Sequence, residues 1–240
     1  MRWRARYLAR FYDPGRGFVD GTTEFHRLCA DVVPAGGRIL EVGAGRSNAT
    51  SRFLATLGPV HGLDPDPPVL GNDALADARL LEGDVFPYGG ASFEACASNF
   101  VLEHVHRPLE HLREVFRVLR PGGAYVLRTA NRYHYVTLVA RWLPHRFHRM
   151  AVRRLTGAPP DAPAPFPTVY AANSPARIRR LAAATGFTVE ALRLVEKEPS
   201  YGMASRVMFL AFMAYERAVN ACDRLAHLRS NIFAVLRKPA

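Results

Sequence analysis

At 240 residues, 49% of them hydrophobic, the chain is long enough to enclose an α/β domain with insertions, and its composition argues against a disordered or fibrous polypeptide. The formal charge of +11 rests almost wholly on arginine, because Lys197 and Lys238 are the only lysines among 32 basic residues. Cys29, Cys96 and Cys222 are odd in number and far apart, a pattern that supports neither a disulfide framework nor a zinc knuckle and that fits a reducing compartment.

Taken in order, residues 1–12 mix aromatics with four arginines and no acid, which predicts a short helix broken at Asp13-Pro14-Gly15. Phe18 to Val33 reads as a second helix. Arg38 to Val42 is a short strand-like run carrying Glu41; it opens into Gly43-Ala44-Gly45 and then an Ala/Leu-rich helical pattern from Ala49 to Leu57. Strand, tight turn and helix in that order make a nucleotide-sized docking place, because glycine lets the backbone turn and lets a ligand approach it. A dinucleotide fingerprint would need a third glycine where Asn48 stands, which weakens a nicotinamide reading.

Val60 to Asp64 is a second short strand ending in a carboxylate, and the Asp64-Pro65-Asp66-Pro67-Pro68 segment that follows cannot be helical. Ala78 to Val85 reads as a third strand ending at Asp84, and Phe93 to Ser98 as a fourth, leading into Asn99 to Val105. A helix starts at Pro108 with an apolar stripe through Leu119, and Pro121-Gly122-Gly123 ends it. A fifth strand, Ala124 to Arg128, delivers Thr129, Ala130 and Asn131 to the same sheet edge. Two insertion helices are expected next, to about Leu143 and from His145 to Leu155, then a stiff proline-rich run from Gly157 to Thr168. Ser174-Pro175 opens another helix, ended by Gly186; Phe187 to Val195 is the sixth strand and Asn231 to Leu236 the last. Between them, the nine-residue apolar run Val207 to Tyr215 is too short to cross a bilayer, which takes about 20 residues. It fits core packing, a homodimer face or a membrane interface.

The pattern Glu41-x-Gly43-x-Gly45, with Asp64, Asp84 and Leu119-Arg120-Pro121-Gly122-Gly123 at their spacings, resembles the class I S-adenosylmethionine-dependent methyltransferases of the type 11 subset over about residues 38 to 130. Ser47 stands where the family has its last glycine and could cap the helix. The resemblance implies a Rossmann-like α/β fold. Its seven-stranded sheet is mostly parallel with an antiparallel last strand and helices on both faces, and helical insertions follow strands 5 and 6. One domain is expected: N-terminal helices 1–33, cofactor core 34–130, substrate cap 131–173, and a C-terminal half 174–240 with a helical insertion at 203–228. S-adenosylmethionine is the implied cofactor. Glu41 would meet its ammonium group, directly or through water, with Gly43, Ala44 and Gly45 forming the turn. Asp64 would hold the ribose, Asp84 the adenine amino group with Val85 flanking the ring, and Asn99 would complete the set. In the related enzymes the leading helices fold over the cofactor, which makes Tyr7 and Tyr12 candidates for covering it.

For a hydroxyl acceptor a base must reach the departing proton, and His104 and His134, just past strands four and five, are the catalytic candidates, with Glu103 or Tyr133 as substitutes. No metal is expected: Ser98-Asn99 stand where metal-dependent relatives place carboxylates, and His104-x-His106 and His145-x-x-His148 lack further ligands. The sequence predicts a metal-independent methyltransferase acting on oxygen of a small-molecule, sugar or lipid-like acceptor. The alternatives are an RNA methyltransferase and an inactive cofactor-binding scaffold. Asn131 to Tyr135, Phe166-Pro167-Thr168 and Asn231 to Pro239 are similar to bacterial methyltransferases of surface polysaccharides or lipid-linked intermediates. Residues 13–127 have a net charge of −5 whereas residues 128–180 have +9, which suits an anionic or lipid-linked acceptor and nucleic acid less so, and Arg206, Arg217, Arg224 and Arg229 around the 207–215 run would allow a peripheral membrane contact through 203–228. A homodimer is the other partner considered. The first residues lack a signal-peptide core, and the expected location is the cytoplasm or the inner face of its membrane.

Overall fold

Four consecutive residues, Ile39-Leu40-Glu41-Val42, are all buried, as a strand covered on both faces demands, and this strand, β1 (Ile39–Val42), lies inside the sheet, third of its seven strands. The computed structural model describes residues 2–142, 166–199 and 202–240. The other strands are β2 (Val60–Asp64), β3 (Asp77–Leu80), β4 (Phe93–Asn99), β5 (Leu119–Ala130), β6 (Thr188–Val195) and β7 (Asn231–Arg237), in the order β3-β2-β1-β4-β5-β7-β6. Every pairing from β3 across to β5 is parallel. The last strand is antiparallel. Beside the start of β5, the Gly122 N–H donates to the Lys238 carbonyl and the Lys238 N–H to the Gly123 carbonyl, while Arg237, at the end of β7, pairs with Glu190 near the start of β6 at 2.7 Å.

The chain therefore begins inside the sheet, builds outward through β2 and β3, then returns to lay β4 and β5 on the other side of β1. That reversal between β1 and β4 is where an open α/β sheet leaves a crevice at the carboxyl ends of its strands.

The helices are α1 (Arg2–Phe11), α2 (Gly21–Val32), α3 (Ala49–Ala55), α4 (Pro108–Val118), α5 (Tyr135–Trp142), α6 (Pro175–Thr185) and α7 (Arg206–Ala221). Pro108 starts α4, where its missing N–H has no helical partner to lose, and His111, Leu112, Val115 and Val118 form the buried face. Ser174 caps α6, its Oγ accepting the Arg177 N–H at 3.3 Å, and Gly186 ends it at φ +87°, a conformation that side chains rarely adopt.

Several boundaries differ from the sequence expectation, among them α2, which starts at Gly21 and not at Phe18. β3 stops at Leu80, four residues before Asp84, because Gly83 turns the chain at φ +77°. α3 stops at Ala55. Pro121-Gly122-Gly123 lies inside β5, which follows α4 directly. The expected helix from His145 to Leu155 and most of the proline-rich run lie outside the described residues.

Contacts divide the chain into two compact units. One contains Thr22–Ala130, Thr168–Arg193 and Ile232–Ala240 and holds most of the sheet; the other contains Met1–Gly21, Asn131–Pro167 and Leu194–Asn231 and is mainly helical. In the helical unit the rings of Trp3, Tyr7 and Tyr12 stand edge-on to Phe209 at 6.1, 5.5 and 6.0 Å, and Phe209 is fully buried. Tyr7 and Tyr12 belong to this cluster. The Tyr12 hydroxyl donates to Glu216 at 3.1 Å, whose other oxygen accepts from Asn220 at 2.8 Å, so the buried carboxylate is hydrogen-bonded on both sides. No described helix is long and apolar enough to cross a membrane.

Candidate active site

The turn after β1 is fixed by the strand beside it. The Gly43 N–H donates to the Leu63 carbonyl at 2.7 Å, and the Gly45 N–H to Asp64 Oδ2 at 3.0 Å. Gly43 is at φ +75° and Gly45 at φ +52°, the left-handed region that favours glycine. A Cβ on Gly43 would stand 2.2 Å from Val101 Cγ2, so the turn after β1 and the loop after β4 are in direct contact. A Cβ on Gly45 would meet only Asp64 Oδ2, at 3.9 Å, and the space beside that glycine is open. Ala44 between them is buried.

Asn48 caps α3. Its Oδ1 accepts the N–H groups of Thr50 and Ser51 at 2.8 and 3.1 Å, and its Nδ2 donates to the carbonyls of Ala44 and Arg46 at 2.8 and 3.0 Å. The capping role expected of Ser47 thus falls to its neighbour; Ser47 instead exchanges hydrogen bonds with Asp73. Asn72, not singled out in the sequence, is buried and donates to the Gly45 carbonyl at 3.2 Å and to Ser51 Oγ at 3.1 Å. Its position just past Gly71 was the one available signal.

Glu41 is buried with Oε2 unpartnered, while Ser51 hydrogen-bonds the carboxylate. Burial pushes its carboxyl up to about 7, opposed by the Ser51 bond and assisted by the nearby charge of Asp64. At the end of β4, adjacent to β1, Asn99 donates to Thr50 Oγ1 at 3.3 Å and leaves its buried Oδ1 without a partner. Buried polar atoms without partners are uncommon in native proteins, and two of them at the ends of adjacent central strands fit a ligand that carries donors. S-adenosylmethionine, with an ammonium group and an adenine amino group, is such a ligand.

Asp64 ends β2 half-buried, one oxygen accepting from Gly45 and the other from the Asp66 N–H at 2.8 Å. Burial raises its carboxyl above the ordinary range, against those two backbone bonds. Asp84 lies in an exposed turn, paired with Arg107 at 3.0 Å, and Val85 beside it is exposed. After β4, Phe100 adopts φ +58° and its ring lies under the Arg128 guanidinium at 4.3 Å. Glu103 is buried and accepts from Thr129 Oγ1 at 2.7 Å; burial raises its carboxyl too. Thr129 also accepts from Asn173 Nδ2 at 2.6 Å, and Asn173 Oδ1 is a third buried atom without a partner. Asn173 was not legible in the sequence, because its contact spans 44 positions.

The two candidate histidines fall in different units. His104 is half-buried in the sheet unit, on the loop after β4 whose neighbour Val101 touches the glycine turn. His134 is in the helical unit, buried against Tyr135 with Nε2 3.5 Å from Glu196 Oε2. Burial lowers His134 to about 4 and raises Glu196 to about 7. Among the described residues no group of three His, Cys, Asp or Glu side chains is arranged to hold a metal ion.

The family model described as "Methyltransferase domain" matches residues 40–127. An uncharacterized methyltransferase of Mycobacterium sp. (strain JLS) is 32% identical over 127 residues, 50% of this chain and 49% of its own length, so the chain spans about half the length of the curated relatives it matches. Among solved structures, the protein complexed with the Trm112 methyltransferase activator of Haloferax volcanii superposes with a TM-score of 0.63 at 19% identity, covering 98% of this chain and 96% of its own. The [4+2]-cyclase SpnF superposes with a TM-score of 0.57 at 17% identity, covering 90% and 81%. Those likenesses concern the fold. Residues 40–127 thus match a methyltransferase domain, and what the chain is similar to, in sequence there and in fold, is the S-adenosylmethionine-dependent methyltransferases.

Proposed function

We propose that this chain catalyses metal-independent methyl transfer to a hydroxyl oxygen of a small-molecule, sugar or lipid-like acceptor. The observation that carries the cofactor half is the pair of unpartnered buried atoms, Glu41 Oε2 and Asn99 Oδ1, at the ends of β1 and β4. S-adenosylmethionine, when bound, supplies an electrophilic methyl group on a sulfonium. Glu41 accepts from the ammonium, Gly43 to Gly45 leave room along the backbone, and Asn99 accepts a ligand donor. Each oxygen of Asp64 already holds one N–H and keeps a second lone pair for a ribose hydroxyl. Asp84 and Val85 receive the adenine.

Displacement at carbon demands alignment of the acceptor more than acid–base help. Where the acceptor is a hydroxyl, His104 is the better-placed base of the two histidines, since its loop adjoins the glycine turn whereas His134 is enclosed by aromatic rings. An acceptor with a lipid-like part is supported by Val207 and Leu210, which α7 exposes to solvent next to Arg206. The same feature supports a peripheral contact with an anionic membrane.

The test is incubation with methyl-labelled cofactor and separate pools of phosphorylated sugars, extracted lipids and RNA. Label in a sugar or lipid product, reduced about 100-fold or more in His104→Ala, supports the reading. Label in RNA alone replaces the acceptor class, and binding of cofactor without turnover on any pool favours a scaffold.

A further inference from the structure

Four residues of α1 recur at the helical spacing of three and four: Trp3, Arg6, Tyr7 and Arg10. On a buried helix such a stripe would be apolar throughout; here aromatic and guanidinium groups alternate along it. Trp3 and Tyr7 turn their rings edge-on to Phe209 of α7, and Arg206, the first residue of α7, joins Arg6 and Arg10 around a cavity of about 670 Å³. All five lining residues belong to the helical unit.

The electrostatics of this cavity are one-sided. Arg6, Arg10 and Arg206 make no ion pair among the described residues, and Arg10 makes only a ring contact, over Phe11 at 5.3 Å. Residues 1–12 contain no acid, and the first turn of α7 contains none either. Three guanidinium groups facing one space repel one another until an anion enters, and their planar donor forks match phosphate oxygens. Beside them the edges of Trp3 and Tyr7 offer apolar surface. The volume exceeds what a bare phosphate needs and lies within the ordinary range for organic ligands.

We propose that this cavity is a second binding site, separate from the cofactor turn, for the phosphate or diphosphate group of an organic phosphate ester, with its organic part against Trp3 and Tyr7. Two sources carry that chemistry: a free phosphorylated metabolite and the headgroup of an anionic lipid.

Trp3 and Trp142 are the only tryptophans, so Trp142→Phe leaves Trp3 as a reporter inside the cavity. The experiment titrates this variant at low salt with inorganic pyrophosphate, and separately with vesicles of phosphatidylglycerol or of phosphatidylcholine, following Trp3 fluorescence. The expected result is saturable binding of pyrophosphate, weakened at least tenfold by Arg6→Ala combined with Arg206→Ala and unchanged by Arg179→Ala with Arg180→Ala, which exchanges two exposed arginines of α6. Binding to phosphatidylglycerol vesicles alone, with the same arginine dependence, identifies the headgroup as the source and still supports the site. No binding of either probe to folded protein, or binding that Arg6→Ala with Arg206→Ala leaves intact, overturns it. Circular dichroism of each variant separates lost binding from lost folding.

Discussion

A carboxylate kept from water and given one hydroxyl partner holds its proton more tightly than an exposed one, and Glu41 does so at the mouth of the central crevice. Its carboxyl is raised from an ordinary 4.5 to about 7, so its contribution to folding is full below pH 4.5 and is lost as the pH rises through 7. Glu41→Gln is therefore expected to stabilise the sheet unit more at pH 8 than at pH 5, as read by urea unfolding. Binding has the opposite sign. An ammonium ligand prefers the ionised carboxylate, so affinity for S-adenosylhomocysteine should climb between pH 6 and 8 in the parent protein and stay flat in Glu41→Gln; parallel pH profiles would remove Glu41 from the site. Asp64 is tied more deeply than a ribose acceptor need be, since it also holds Gly45 and Asp66. Asp64→Ala should weaken S-adenosylhomocysteine binding about 10- to 100-fold and cost about 1–3 kcal/mol of stability, the penalty for leaving backbone donors without their acceptor.

At the scale of elements, α7 tests how a sequence run is partitioned. Val207 to Tyr215 reads as one apolar block, yet Phe209 is enclosed by Trp3, Tyr7 and Tyr12 whereas Val207 and Leu210 face solvent. Phe209→Ala should destabilise the helical unit by about 3–5 kcal/mol, and Val207→Ser should change its stability by under about 0.5 kcal/mol, both measured by denaturant titration. The contrast shows where sequence reading stops. β1, the glycine turn and α6 were legible because their signals are local: an apolar run, two glycines, a Ser-Pro start and a glycine stop. The end of β3 was not, since Leu80-Leu81 continues the apolar pattern past the point where the chain turns at Gly83. Asn72, Asn173 and Glu216 were also hidden, because each acts on partners many positions away, and their residue types alone suggest turns or surface. Asn48 stands where a fingerprint glycine would, and its side-chain oxygen caps α3, a role its place in the pattern does not announce.

Across the whole molecule, each compact unit buries a histidine and a glutamate whose protons are shifted in opposite directions. His111 and Glu41 belong to the sheet unit, His134 and Glu196 to the helical one; the histidines are lowered to about 4 and the glutamates raised to about 7, all four chiefly by burial. The histidines' contribution is present above pH 6.5 and lost as the pH falls through 4; the glutamates' is present below 4.5 and lost as the pH rises through 7. Between about 4.5 and 6.5 the slopes of His134 and Glu196 cancel, so the helical unit's stability should be flat there and decline on either side, whereas in the sheet unit Asp64 and Glu103, also raised by burial, add to the decline with rising pH. His134→Phe should remove the helical unit's decline in acid and leave the Glu196 slope uncancelled, so its stability should fall steadily from about pH 4.5 to 7 and the drop between pH 5.5 and 8 should grow, as followed by urea unfolding at pH 4, 5.5 and 8.

The most direct test of the central claim is calorimetric titration of the folded protein with S-adenosylhomocysteine at pH 8, alongside Glu41→Gln and Asp64→Ala. One-to-one saturable binding that both substitutions weaken by tenfold or more is the predicted result. Absence of binding by the folded parent protein, or binding that neither substitution alters, would contradict the placement of the cofactor at the ends of β1, β2 and β4.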